Sequence, residues 1–441
     1  MKQSLKMYSI VLSMVLISFL NACKKIDVPG TLIPKADVPE VTISDQSALS
    51  ANAVPKNAKI FDVGTGSGDL IIDGKSMKID NNVLVRIKAG TYNNINIKNI
   101  SAPKGITVFI KNNGQIKVKE RMSTSNISNV VISGDHTAGI TYGFKFENIS
   151  YRAIIMTGKL EGVTLTNMSF TNVKDYVISG DNTNGGSFIY NGTAETRNNN
   201  FKILNCLFDN VQSISFGGNL SRDSKEDSGL FKDVEIGYNI FKNTNSGSVC
   251  SFTNVQDYNI HHNVVSNINQ QNNNHNGIFL MQGNGKFHNN KLTNYQGNAI
   301  RMWVYSRGTT PVTVEIYNNI CFNSRKYGAF ELQAFERNIF PGKTTFANAK
   351  VYNNTVGQMN TSKDWEGQTL DLYNIGGTLE YYNNLGFNLV GTRSITNMIN
   401  NMSDTKIVKE NSNRYFAKAQ SAVSNTDTFE SKFTGIGSNL K

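Results

Sequence analysis

One short phrase, repeated six times between Val234 and Gly386, decides the fold of this 441-residue chain. The pattern is apolar, any residue, apolar, two residues, asparagine, any residue, apolar, with occasional exceptions. The copies read Val234-Glu-Ile-Gly-Tyr-Asn239-Ile-Phe241, Tyr258-Asn-Ile-His-His-Asn263-Val-Val265, Gly285-Lys-Phe-His-Asn-Asn290-Lys-Leu292, Val314-Glu-Ile-Tyr-Asn-Asn319-Ile-Cys321, Ala349-Lys-Val-Tyr-Asn-Asn354-Thr-Val356 and Leu379-Glu-Tyr-Tyr-Asn-Asn384-Leu-Gly386. Successive asparagines are 24, 27, 29, 35 and 30 residues apart. A period in this range is typical of stacked supersecondary units.

Each phrase has the pattern of a β-strand, because its apolar residues alternate with polar ones and are mostly β-branched or aromatic. A helix would instead place apolar residues three and four positions apart. A second strand is predicted 10 to 16 residues after each asparagine. These second strands are Val249-Cys250-Ser251, Ile278-Phe279-Leu280, Ile300-Arg301-Met302, Phe330-Glu331-Leu332 and Leu370-Asp371-Leu372.

The asparagine follows the first strand and marks a corner of the chain. Asparagine tolerates the left-handed backbone conformation at such corners, and its amide bonds to neighbouring backbone. In stacked coils the amides would be about 4.8 Å apart, so they would form a hydrogen-bonded ladder. The predicted structural ladder consists of Asn239, Asn263, Asn290, Asn319, Asn354 and Asn384. Two strands, a corner and a variable loop in each coil predict an all-β parallel solenoid.

This pattern resembles the right-handed parallel β-helix family, the pectate-lyase-like superfamily, over residues 60–387. Leu84-Val-Arg-Ile-Lys-Ala-Gly-Thr-Tyr92 also resembles the first coil of many members. The resemblance implies the fold, a groove on its surface and a preference for carbohydrate. We expect the β-helix at 59–392 and a C-terminal cap or tail at 393–441, where the repeat fades.

The first residues read as a targeting segment. Lys2 and Lys6 precede an apolar run that is too short to span a bilayer, and Leu20-Asn-Ala-Cys23 resembles the end of a bacterial lipoprotein signal. We therefore predict a signal at 1–23, lipidation of Cys23 and a proline-rich tether at 24–58. The expected location is a bacterial membrane, most simply the outer one, with the body in the periplasm or at the cell surface.

The chain is basic, with a formal net charge of +11. Removal of Lys2 and Lys6 with the signal leaves +9. Such a charge favours an acidic polysaccharide or anionic surface as partner. Nucleic acid is not expected for an exported protein, contact with the membrane is expected through the lipid alone, and we expect a monomer. Cys206, Cys250 and Cys321 lie in apolar contexts and are predicted to be buried thiols.

Alternate residues of a solenoid strand point outward, and equivalent residues of successive coils form columns. On the first strand, alternating charges (Lys286, Glu315, Lys350, Glu380) are predicted to be structural. The rings beside them (His261, His288, Tyr317, Tyr352, Tyr382) are predicted to stack on one another, with the holding of a sugar as the alternative. On the second strand one predicted column is Phe279, Arg301, Glu331, Asp371, and the next is Met281, Trp303, Gln333, Tyr373. Aromatic faces, amides and charges together are what a sugar-binding groove requires.

Two reactions fit such a groove. In β-elimination, a base removes the proton beside a uronate carboxylate that a cation has neutralised. His275 would be the base or acid, Arg301, Arg325 and Lys326 would neutralise, and Glu331 with Asp371 would hold Ca²⁺. In hydrolysis, Glu331 and Asp371 would be the catalytic pair. Predicted substrate-binding residues are Trp303, Gln333, Tyr373, Tyr305, Arg325 and Lys326.

The resemblance supplies no catalytic residue, because no lyase or hydrolase signature is intact and the paired aspartates of polygalacturonase-like hydrolases are absent. The leading hypothesis is an exported protein that acts on an acidic polysaccharide by β-elimination. A glycoside hydrolase is the second hypothesis, and a non-catalytic glycan-binding or surface scaffold protein is the third.

Overall fold

The computed structural model describes residues 53–180, 188–221, 226–334, 344–365, 367–389, 398–403 and 405–440. The chain divides into two units, Met1–Ala48 and Leu49–Lys441, and the described residues all belong to the second. The predicted signal, Cys23 and the tether up to residue 52 lie outside the described residues. None of the helices in the described part of the chain is long and apolar enough to cross a membrane.

The described strands stack in three columns, which we name A, B and C in the order in which each coil meets them. Column A contains Lys59–Val63, Asn198–Leu204, Phe231–Gly237, Val312–Tyr317, Ala347–Tyr352, Gly376–Tyr382 and Lys406–Asn411. Column B contains Phe144–Glu147, Met168–Val173, Leu207–Val211, Ile240–Thr244, Val264–Ile268, Lys291–Tyr295, Ile320–Ser324, Thr355–Met359, Leu385–Leu389 and Arg414–Phe416. Column C contains Ile178–Gly180, Ile214–Phe216, Asn298–Val304, Phe330–Ala334, Leu370–Leu372 and Ile399–Asn401.

Longer strands bend through more than one column: Ser67–Asp73, Val83–Ser101, Val108–Ser133, Ile154–Thr166, Cys250–His261 and Gly277–His288. Strands of one column pair in parallel with the strands of the next coil. Two small antiparallel pairs join Leu220–Ser221 to Glu226–Asp227 and Ser306–Arg307 to Thr344–Thr345. The short helices are Gly74–Ser76, Ala194–Thr196 and Ala419–Ala422. The architecture is a parallel β-helix.

A buried chain of asparagine amides links the coils at the corner between columns A and B. The Nδ2 atom of Asn239 donates to Oδ1 of Asn263 at 3.1 Å, and the same contact follows between Asn263 and Asn290 at 2.9 Å. The chain continues through Asn319, Asn354 and Asn384 at 3.0–3.2 Å. It runs one coil further than the sequence pattern suggested, because Asn384 donates to Asn413 at 3.1 Å.

The left-handed residue at this corner is the one before each ladder asparagine, contrary to the expectation from sequence. Tyr238, His262, Asn289, Asn318, Asn353 and Asn383 have φ between 52° and 58°. Their conformation turns the chain, while the next residue points its amide into the interior. A second asparagine column lies at the far end of column B. It includes Asn243, Asn267 and Asn294, also at positive φ, with amide contacts of 3.0 and 3.4 Å.

Stacked apolar side chains fill the interior. Phe146, Phe170, Phe208 and Phe241 form one continuous stack, with ring centroids 4.7–5.0 Å apart and planes within 14° of parallel. Equivalent core positions of successive coils therefore touch each other directly, and the core lengthens coil by coil.

The outward rings of column A stack on one another as predicted. The centroids of His261, His288, Tyr317, Tyr352 and Tyr382 are 4.6–5.3 Å apart. Beside them, Lys286 pairs with Glu315 at 2.8 Å and Lys350 pairs with Glu380 at 3.2 Å. Because the ring faces contact each other, these rings present edges rather than faces to a sugar.

Parallel stacking continues past residue 392, where the repeat fades in the sequence. Ile399–Asn401, Lys406–Asn411 and Arg414–Phe416 pair with columns C, A and B of the coil before. Residues 419–440 then pack against the outer side of column B. Their Val423 and Phe429 join an apolar cluster with Ile320, Leu385 and Phe387. The segment therefore covers the side of the solenoid, and we name it the strap.

Replacing Asn290 with alanine tests the ladder. Its side chain accepts from the backbone N–H and Nδ2 of Asn263, and donates to the Ile260 carbonyl and Asn319. Asn290→Ala leaves these buried groups unpaired, so we expect a loss of at least about 3 kcal/mol in the free energy of unfolding, measured in urea. Thr293→Ala, at a half-buried strand position of the same coil, is the control and should lose less than about 1 kcal/mol. Equal losses for the two variants would contradict a stabilising ladder.

Candidate functional site on column C

The outer surface of column C brings unlike polar groups into register on neighbouring coils. Arg301 pairs with Glu331, and Glu331 pairs with Asp371 in the next coil. Asn400 follows in the last coil. Because parallel strands are about 4.8 Å apart, these side chains are held within reach of one another.

Glu331 lies at the centre of this cluster and is completely buried. Arg301 donates from Nε to Oε1 of Glu331 at 2.9 Å, and from Nη1 to the carbonyl of His275 at 2.9 Å. The other carboxylate oxygen, Oε2, lies 3.1 Å from Nε2 of His275. This second contact has the distance of an ion pair but lacks the alignment of a hydrogen bond. Glu331 therefore holds both Arg301 and His275 in place.

Asn298 defines which nitrogen of His275 carries the proton. Its Nδ2 donates to the Gly328 carbonyl at 3.1 Å and to Oδ2 of Asp371 at 3.2 Å. Its Oδ1 therefore faces Nε2 of His275, at 2.8 Å. Both groups near Nε2 are acceptors, namely Asn298 Oδ1 and Glu331 Oε2, so Nε2 bears hydrogen. The lone pair of the neutral imidazole is then on Nδ1.

Asp371 is surrounded by amides. Besides Asn298, it accepts from Gln368 and, at 3.5 Å, from Asn400. Only 5% of the residue is exposed. Burial raises the pKa of Asp371 to about 7, and the negative charge of Glu331 adds to the rise.

The pKa of Glu331 moves in the opposite direction. Burial acts to raise it, but contact with His275 and the positive charge of Arg301 outweigh burial and lower the pKa below its usual value. Just below pH 7 the pair thus holds one negative charge, on Glu331, and one proton, on Asp371. Two nearby carboxyl groups with oppositely shifted pKa values often perform acid and base roles.

A layer of loops lies over the cluster. The ring of His275 stacks on that of Tyr327 with centroids 4.1 Å apart, and the Tyr327 hydroxyl donates to the Asn273 carbonyl at 3.0 Å. Arg325 donates to the side chain of Asn273 at 2.9 Å and also contacts the Asn272 carbonyl. These contacts join the loop before strand Gly277–His288 to the loop before strand Phe330–Ala334. The His275 side chain is 28% exposed, whereas the Glu331 side chain has no exposure.

The edge of this layer carries an exposed aromatic ring and a cation. Trp365 is 47% exposed and lies 5.5 Å from Tyr327, centroid to centroid. The Nζ atom of Lys326 is 5.6 Å from each of these two rings and 3.2 Å from the carboxylate of Asp364. The predicted cations Arg301, Arg325 and Lys326 are therefore all grouped around the stacked pair of His275 and Tyr327.

The remaining predicted residues are placed differently. Trp303 and Gln333 are paired in register beside the cluster, with the Arg301 guanidinium 5.6 Å from the Trp303 ring. Tyr373 follows the end of strand Leu370–Leu372 and is half-buried. Tyr305 is only 3% exposed, lies on the loop after column C and donates to Asn254 at 2.5 Å. The structure therefore does not place Tyr305 with His275.

The predicted columns were wrong at one coil. Phe279 and Met281 pair with Ile300 and Met302, and both are completely buried. The outward residues there are Leu280 and Gln282. Residues 278–281 are all apolar, so their alternation could not show which residues face inward.

Sequence reasoning missed Asn298, Tyr327, Gln368 and Asn400 as parts of the site. Asn400 lies beyond the repeat. Asn298 is the first residue of its strand and Gln368 lies two residues before its strand, and both occur among many other amides. Tyr327 lies in a loop, and nothing in its spacing predicts the stack with His275. Only register and loop contacts identify these four residues.

The carboxylates do not fit a calcium site as they are arranged. Glu331 Oε1 accepts from a guanidinium, and both oxygens of Asp371 accept from amides. A divalent cation would need several oxygen ligands in their place and would lie beside the charge of Arg301. Within the described ranges, no group of three or more His, Cys, Asp or Glu side chains is arranged to hold a metal.

Comparison with known proteins gives a likeness in structure but none in sequence. No protein-family model and no curated protein matches the sequence. Among solved structures, a polysaccharide lyase of family PL6 from Pseudopedobacter saltans matches with 12% sequence identity and a TM-score of 0.46. The match covers 85% of this chain and 96% of that one. At this level of similarity no residue role is transferred.

The protonation of Asp371 predicts a pH dependence of stability. Its pKa is about 7 in the folded protein and about 3.9 when unfolded, so its contribution to folding is full below pH 4 and is lost as the pH rises to 7. Asp371→Asn cannot ionise. Relative to this variant, the wild type should lose stability of the order of 3–4 kcal/mol between pH 4 and pH 8, in urea unfolding.

Asp364→Asn is the matched control. Although burial tends to raise the pKa of Asp364, its hydrogen bonds from Ser362 and Lys326 lower it overall. The wild type should therefore gain stability relative to Asp364→Asn as the pH rises through the acid range. A difference between wild type and Asp371→Asn that stays constant from pH 4 to pH 8 would show that Asp371 is ionised throughout.

Proposed function

We propose that this protein is a carbohydrate-active enzyme that acts on an acidic polysaccharide by β-elimination, with His275 as the group that transfers the proton. The observation that carries the proposal is the fixed orientation of His275. Asn298 and Glu331 hold Nε2 as a donor, which leaves Nδ1 to accept a proton. Of this cluster, His275 is also more exposed than either Glu331 or Asp371.

The reaction assigns a role to each neighbouring group. Nδ1 of His275 takes the proton from the carbon beside the uronate carboxylate, and that C–H electron pair becomes a carbon–carbon double bond. The glycosidic C–O bond breaks, and its electrons leave on the oxygen, which receives a proton from the imidazolium. Arg301, Arg325 and Lys326 supply positive charge near the developing carbanion.

Glu331 acts through His275 rather than on the substrate. A buried carboxylate beside an imidazole fixes the tautomer and stabilises the imidazolium that forms. Arg301 in turn compensates the charge of Glu331, which would otherwise be costly to bury. These are positioning roles.

Hydrolysis by Glu331 and Asp371 is the second candidate, favoured by their opposite pKa shifts and their adjacent coils. Its weakness is access. Glu331 is completely buried and Asp371 is only 5% exposed, and the loops of His275 and Tyr327 lie over them. A sugar would have to displace that layer before touching either group, so elimination is preferred.

A panel of pectate, alginate, glycosaminoglycans and neutral glycans tests the reaction type. Ultraviolet absorbance detects unsaturated uronates, and a parallel assay detects new reducing ends. Elimination predicts that both signals rise together on an acidic glycan, with no requirement for added Ca²⁺. Reducing ends without absorbance would establish a hydrolase, and binding without either signal would establish a glycan-binding protein.

His275→Gln tests the assigned base. Loss of the proton acceptor should lower kcat at least 100-fold on the glycan that the panel identifies. His288→Gln is the matched control, since His288 is in the ring stack of column A and burial lowers its pKa to about 4. It should keep kcat within about twofold. Thermal unfolding of both variants checks that they fold, and a folded His275→Gln enzyme with full activity would exclude His275.

The proposal includes export and lipid attachment at Cys23. In a bacterial host with an outer membrane, radioactive palmitate should label the wild-type protein and bring it to the membrane fraction. Cys23→Ser should remove the label and release the protein from membranes, because a soluble body then lacks its anchor. Labelling of both proteins would place the acyl group elsewhere.

A further inference from the structure

Two exposed tyrosines flank an arginine at a second place along column C. Tyr151 is 48% exposed and Tyr176 is 41% exposed. The guanidinium carbon of Arg152 lies 5.2 Å from the centroid of the first ring and 5.3 Å from that of the second. The role proposed for His275 does not involve these residues.

This group occupies the same edge of column C as the loops over His275. Tyr151 precedes the first residue of strand Ile154–Thr166 by three positions, as Tyr327 precedes strand Phe330–Ala334. The first residues of these strands belong to one continuous register. The loop that carries Tyr151 and the loop that carries Tyr327 are therefore aligned along the solenoid axis.

Serines occupy most of the outward strand positions between the two places. The outward residues of successive coils are Ser179, Ser215, Ser251 and Leu280, and the next is Arg301. Ser179 and Arg301 are thus four coils apart, or about 19 Å at the usual spacing of strands. Ser179 is buried beneath Arg152, whereas Ser215 and Ser251 are half-buried. The short side chains of Ser215 and Ser251 leave room above the backbone and offer hydroxyls, which suits a sugar chain lying along the axis.

Arg152 is held in a defined position. Its Nε donates to the Asp175 carboxylate at 3.2 Å, and Nη1 lies 3.5 Å from the Ser179 hydroxyl. Its side chain remains 22% exposed. An arginine fixed between two aromatic rings binds with less loss of side-chain entropy than a free one.

We infer that Tyr151, Arg152 and Tyr176 form a distal subsite for the same acidic glycan. The rings would stack on pyranose faces and Arg152 would bond a carboxylate or hydroxyl, while the other end of the chain lies beside Arg301. The inference rests on the proposed function for the identity of the ligand. It requires binding but not catalysis, so it is tested separately.

The test is calorimetric titration of the mature protein with oligogalacturonates and oligomannuronates of three and eight residues. A trisaccharide is too short to reach both places, whereas an octasaccharide spans them. The wild type should bind one octasaccharide at least tenfold more tightly than the trisaccharide of the same sugar. Tyr151→Ala/Tyr176→Ala should remove most of that advantage, since each ring contributes a few-fold to tenfold in affinity.

Tyr415→Ala is the matched control, because Tyr415 is 43% exposed and lies on column B. This variant should still bind the octasaccharide at least tenfold more tightly than the trisaccharide. An unchanged advantage in the double variant overturns the subsite and leaves the proposed function standing. In another outcome, the wild type binds the octasaccharide without cleaving it, while the double variant loses the preference for the longer sugar. That result supports the subsite and contradicts the proposed enzymatic activity. A wild type that binds none of these probes overturns the subsite for such uronate chains, whereas the proposed function is decided by the full panel of glycans.

Discussion

The corner between columns A and B is the constraint on which the rest of the molecule depends. One residue adopts the left-handed conformation, and the next sends its amide into a continuous hydrogen-bonded chain. Each amide bonds to the coil before it and to the coil after it, so these buried polar groups are paired with one another and with the backbone. The chain of amides also fixes the register between coils. A slip of one residue would turn every side chain of column C to the opposite face.

Exact stacking has an electrostatic consequence at column C. Identical positions on adjacent coils are always close, so Glu331 and Asp371 cannot both be ionised cheaply in a dry environment. Arg301 on one side stabilises the charge of Glu331, and the proton remains with Asp371 on the other side. The order of residues along the column therefore determines the protonation pattern. The protonation pattern affects His275 through its contacts with Glu331 and Asn298.

Sequence was informative wherever a physical period was present. The spacing of Asn239 to Asn384 predicted the strands, the stacking direction and the rings of column A. The prediction failed at Phe279, because with four consecutive apolar residues the sequence does not show which side chains point into the core. Arg301, Glu331 and Asp371 were identified because they lie on regular strands. Their burial, and the stack of Tyr327 on His275, depend on loops of unequal length, whose conformations no repeat encodes.

The contacts of the strap join residues that are much further apart in the sequence than the contacts between coils. Ladder contacts join residues 24 to 35 positions apart. Strap contacts instead join Ser438 to Thr355, 83 positions away, and to Asn318, 120 positions away. Local contacts form quickly, whereas contacts between distant residues require slow loop closure. Coils are therefore able to assemble as they are synthesised, but Ile320, Leu385 and Phe387 stay exposed until residues 419–440 arrive. During that interval the side of column B is an exposed apolar surface that can bind other chains, and the strap covers it last.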